Sequence, residues 1–144
     1  LARAPGPVRL PDGIARPSAA FTGRPEGGVS FVWAAASELP EVSGTDVGLL
    51  LTAYPADLDR PSVEKLIPPD TTIGHVDVDG TGAYWLAGGP HVFMYLDRDG
   101  NPQRAASRLA ANTLLWERDG VTYRLESMLD RDAALRLARD ISVE

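Results

Sequence analysis

A chain of 144 residues is one domain's worth, long enough for a single sizeable core. With 20 acidic against 14 basic residues, a net charge of −6 and no local Lys/Arg cluster, a phosphate-backbone partner is set aside and no nucleic acid is expected. The absence of cysteine excludes disulfide staples, thiolate nucleophiles and Cys-ligated metal, while 44% apolar and 24% charged residues are ordinary for a globular chain.

In chain order, residues 1–24 are rich in Pro, Gly, Ala and Arg, and Pro5, Pro7, Pro11 and Pro17 are too closely spaced for a helix or a central strand. This stretch reads as a linker or an edge-hugging arm with a short strand at Val8 to Leu10, and residues 25–144 as one domain. The chain opens at Leu1 without an initiator Met and so reads as an excised or processed piece. No run approaches the roughly 18 apolar residues of a membrane span, so any membrane contact is expected through a segment absent from this chain.

Val29 to Ala35 is strand-like, and Leu39-Pro40-Glu41 breaks it. Gly48 to Tyr54 is a second apolar run, short enough for a buried strand, and the two are expected to pair. Between Pro61 and Ile67 the pattern predicts a short helix stopped by Pro68-Pro69. Thr72 to Val78, Gly82 to Ala87 and His91 to Asp97 read as three successive strands of an antiparallel meander, because short connections cannot make a parallel return. Arg104 to Ala111 is left as irregular or a short strand, and no internal repeat is evident.

The clearest signal is the last third. In Thr113 to Glu126 the central Asp119-Gly120 favours a type I′ hairpin, since both turn positions take positive φ. The register follows: Trp116 opposite Tyr123 and Leu114 opposite Leu125 on an apolar face, Glu117 opposite Thr122 and Leu115 opposite Arg124 on a mostly polar one. Asp130 to Ile141 reads as a helix, with Asp130 as N-cap and Ala134, Leu137, Ala138 and Ile141 recurring at helical spacing. Asp132–Arg136 and Arg136–Asp140 are i,i+4 neighbours on its wet face. The fold class is α+β: a curved, mainly antiparallel meander sheet of about six to eight strands, one face covered by the C-terminal helix.

The run Leu115-Trp116-Glu117-x-x-Gly120-x-x-Tyr123-Arg124-Leu125-Glu126, followed by Leu129, Ala134-Leu135 and Ala138, resembles the C-terminal signature of the DUF4367-type domains. These are extracytoplasmic domains of bacterial membrane-anchored proteins, often carried by transmembrane anti-sigma factors. The resemblance covers about the last thirty residues, extends more weakly to Val47, and leaves the residues before Val29 untouched. It implies an extracytoplasmic, membrane-anchored setting and a regulatory role.

Several residues could carry chemistry. Alternation places His75, Asp77 and Asp79 on one strand face, able to present imidazole and carboxylates to a divalent cation, but the reading preferred is a solvated face opposite Val76 and Val78, with no metal. Asp97-x-Asp99-Gly100-Asn101 resembles a calcium loop, but its sixth and twelfth positions are Pro102 and Arg108, so it reads as a hairpin turn. Neither His75 nor His91 has a nucleophile-elbow context, and Gly27-Gly28 and Gly88-Gly89 lack the strand-loop-helix setting of a phosphate loop. Glu117 and Glu126 stand out among the carboxylates by their apolar setting. Adjacent Tyr84 and Trp85 must point to opposite faces, so a second, concave apolar face with Tyr84 or Trp85 could take a ligand. The expected function is therefore a non-catalytic extracytoplasmic sensor or regulatory domain, needing no cofactor and binding a protein or apolar ligand at the cell envelope. The alternative is a lipid- or lipoprotein-binding half-barrel.

Overall fold

The computed structural model describes residues 7–23, 27–55, 57–58, 72–87, 92–96, 99–106 and 111–143. The helix expected between Pro61 and Ile67, and His91, lie outside them. The strands are β1 (Val8–Arg9), β2 (Ala19–Gly23), β3 (Gly28–Ala34), β4 (Val47–Pro55), β5 (Asp57–Leu58), β6 (Thr72–Val78), β7 (Thr81–Ala87), β8 (Val92–Leu96), β9 (Pro102–Ala106), β10 (Asn112–Arg118), β11 (Val121–Ser127) and β12 (Ser142–Val143), with helix α1 at Arg131–Arg139.

An open seven-stranded sheet runs in the order β2-β3-β4-β11-β10-β7-β6, and every neighbouring pair is antiparallel. The terminal hairpin β10–β11 lies at its centre, with Trp116 opposite Tyr123, Leu114 opposite Leu125 and Leu115 opposite Arg124, the register that the turn predicts. Asp119 and Gly120 have φ of 54° and 74°, as a type I′ turn requires. Asp79 and Gly80, joining β6 and β7, repeat this at 51° and 84°.

The three-strand meander is not what forms. β6 and β7 pair, but β8 joins β5 and β9 in a separate three-stranded sheet of order β5-β8-β9. A strand has two edges, and those of β7 are taken by β6 and by β10, so β8 finds no place beside it. The stretch left open, Arg104 to Ala111, begins inside β9, which starts two residues earlier at Pro102.

The proline-rich arm contributes strands to the fold, at the edges. β1 pairs with β12, β2 forms one edge of the large sheet, and Val8, Leu10 and Ile14 pack on the main core. The indole N–H of Trp33 donates to the carbonyl of Ala15 (2.8 Å), fastening the arm to β3.

The core lies between the arm, α1 and one face of the sheet, where Trp33, Leu49, Leu51, Leu114, Trp116, Tyr123 and Leu125 are buried. The Asp130 carboxylate accepts from Ala133 N (2.8 Å), capping α1, which lies over β6, β10 and β11. Its contact is made by small residues: Ala134 and Ala138 are fully buried, whereas Leu135 and Leu137 pack at the margin. Ile141 is buried just beyond the helix, which ends at Arg139. Asp132 lies 3.5 Å from Arg131, its sequence neighbour, instead of meeting Arg136 one turn on. Among the described residues no helix is long and apolar enough to cross a membrane.

At Gly48 the loop after β3 closes over β4 so tightly that a Cβ there would stand 2.7 Å from both Cβ and O of Leu39. Gly48→Ala is therefore expected to lose about 1–3 kcal/mol by displacing buried Leu39, measurable by urea unfolding.

Candidate functional site

The second face of the sheet decides how the polar candidates are used. Adjacent register pairs place one row of side chains across all seven strands: Phe21, Ser30, Thr52, Arg124, Leu115, Tyr84 and His75. Its ends, Phe21 and His75, are exposed, and its middle is buried. Ser30 and Thr52 share a hydroxyl–hydroxyl contact of 3.2 Å. The next row carries Leu50, Glu126, Thr113 and Leu86.

Arg124 and Glu126 therefore point the same way from the central strand, and Nε of one lies 3.2 Å from Oε2 of the other. Their side chains are 1% and 0% exposed. Such burial is costly for two charges and is tolerated when they face one another. Thr52, Thr113 and Thr122 around them are equally buried, so this face is covered, and β5 lies against β10 and β11. The mostly polar face of the hairpin is thus a buried polar layer.

The candidate metal strand divides instead of converging. Asp77 turns its carboxylate onto Gly80 N (2.7 Å), holding the β6–β7 turn. Asp79 sits in that turn, 3.9 Å from Arg118, whose guanidinium also donates to the Val78 carbonyl (3.2 Å) and ties the two hairpin turns together. His75 is exposed, with its ring centroid 5.2 Å from that of Tyr84. Among the described residues no three His, Asp or Glu side chains gather in a metal-binding group.

Glu117 repeats the role of Asp77, accepting from Gly120 N (3.0 Å). The pattern acid-x-Asp-Gly occurs in the sequence at Asp77–Gly80, Asp97–Gly100 and Glu117–Gly120, evenly spaced along the chain, and the first and last join the hairpins β6–β7 and β10–β11. Gly100 also takes a positive φ of 81°. The repeat is legible in the sequence once the turn chemistry is read together with the preceding acid.

Tyr84 and Trp85 point to opposite faces. Tyr84 is buried with Leu86 and Leu115, and half-buried Ile73 packs on them, while Trp85 lies partly buried on the helix-covered face. Tyr84 is therefore part of the packing of the second face and not an open apolar surface.

No family model matches this chain, and neither a curated protein nor a solved structure matches it.

Proposed function

We propose that this is a non-catalytic, extracytoplasmic sensor or regulatory domain of a membrane-anchored bacterial protein, acting by binding a protein partner. The observation that carries the reading is the employment of the acidic residues at the hairpin turns, the sheet's centre and the helix cap. Asp77 and Glu117 hold hairpin turns, Asp79 faces Arg118, Glu126 faces Arg124 and Asp130 caps α1. Carboxylates spent on architecture are not poised for proton transfer, which needs a group free to reach a substrate.

The DUF4367-type resemblance adds the setting, and the residues that carry it form the hairpin at the sheet's centre and the helix over it. The polar second face weighs against the lipid-carrier alternative. A lipid site needs a dry apolar concavity, whereas Ser30, Thr52, Thr113, Thr122, Arg124 and Glu126 are buried on this side.

The test uses the purified domain as bait for detergent-solubilised envelope proteins and extracted lipids, with retained material identified by mass spectrometry. One protein retained in stoichiometric amount, and competed by free domain, is the expected result. Retention of lipid without protein reverses the order of the two readings.

A further inference from the structure

The two outer strands of the large sheet present different edges. β6 carries Asp77 exposed on its length, and a charged side chain on an edge resists the addition of another strand. β2, at the opposite end, is Ala19-Ala20-Phe21-Thr22-Gly23, without charge or proline, and Ala20, Phe21 and Thr22 are exposed. Pro17 precedes it and Pro25 follows it in the sequence, so the stretch able to donate backbone hydrogen bonds is short and bounded. At its centre stands Phe21, 56% exposed and the most exposed large apolar side chain among the described residues; Met128, at 46%, lies beyond the end of β11.

We propose that β2 is a self-pairing edge, on which a second copy of this chain adds its own β2 across a two-fold axis through Phe21. Identical edges related by a two-fold axis run antiparallel, the sense already used throughout this sheet. About that axis Ala19 meets the partner's Gly23 and Ala20 meets the partner's Thr22, small residues that let the backbones approach. Phe21 meets the partner's Phe21, and an aromatic pair directly across strands is among the favourable cross-strand contacts. The same pairing removes from water the apolar ring that a monomer exposes. A second copy suits this edge because its central residue complements itself and nothing charged opposes it.

The dimer is weak, because a window this short buries little area. Salt gives it a signature. Each copy carries a net charge of −6, so like-charge repulsion between copies is screened as ionic strength rises, and the neutral contact tightens. An interface built on ion pairs moves the other way.

Sedimentation equilibrium at rising protein concentration, in low and high salt, tests this directly. The expected mass climbs from the monomer's 15.4 kDa toward twice that value, and climbs further at high salt. Phe21→Lys abolishes the rise while leaving the thermal melt unchanged, since the side chain it alters is exposed. Because the chain has no cysteine, a single introduced thiol reports position without ambiguity. Thr22→Cys, which keeps the Phe21 ring, cross-links to dimer with a short bis-maleimide, and Met128→Cys does not. A mass fixed at the monomer value under all conditions, a dimer indifferent to Phe21→Lys, or cross-linking at Met128→Cys as efficient as at Thr22→Cys overturns the proposal.

Discussion

Replacing Arg124 by methionine with Glu126 left in place is expected to lower the free energy of unfolding by about 3–5 kcal/mol, because a carboxylate with no solvent exposure loses the cation 3.2 Å from it. The double replacement Arg124→Met with Glu126→Leu is expected to regain most of that loss. Neither charge then has to be desolvated, and the apolar side chains join Leu50, Leu86 and Leu115, which share that face. Urea unfolding of the two single variants and the double variant closes the cycle, with the coupling read as the departure from additivity. Additive single effects, each under about 1 kcal/mol, would show that the pair is not held as an ion pair in a dry layer.

The same two residues show where sequence reading stops. Alternation along Val121–Ser127 correctly places Tyr123 and Leu125 on one face and Arg124 and Glu126 on the other. It cannot tell that both faces are covered, because a polar residue facing water and one facing a buried partner have the same period. All seven residues of β11 are buried, a pattern that near-continuous apolar runs normally announce and that here belongs to a strand of alternating character. β4, with its Leu49-Leu50-Leu51 run, is buried on both faces in the way its sequence suggests.

Local signals served best where a turn fixes geometry. Asp119-Gly120 determines a two-residue connection and hence every partner along β10 and β11. The assignment of β8 to a second sheet was not legible, since it depends on which strand wins the free edge of β7. That edge goes to β10, which is more than twenty positions away in sequence and brings Leu114 and Trp116 into the core. His75, Asp77 and Asp79 do not converge, for a local reason: a residue before an Asp-Gly turn is well placed to accept the glycine N–H, and Asp77 does so.

The second large effect is expected at Trp116. Its side chain is fully buried at the centre of the sheet and stacks on Tyr123, with ring centroids 5.2 Å apart and planes 15° from parallel. Trp116→Ala removes that contact and leaves a cavity between β10, β11 and α1, so a loss of about 3–5 kcal/mol is expected from thermal or urea unfolding. Trp116→Phe is expected to lose less, about 1.5 kcal/mol or under, because it keeps an aromatic ring on Tyr123. The indole N–H that it deletes has no hydrogen-bond acceptor among the described residues, so no polar contact there opposes the change. Helix α1 sets the limit of relaxation around this site. Ala134 and Ala138 hold it close to the sheet, and its longer side chains, Leu135 and Leu137, are already packed at the margin of the core, so little is free to fill the space that the indole vacates. Equal losses for Ala and Phe would show that an aromatic ring on Tyr123 does not hold this site, and would overturn this account of the core.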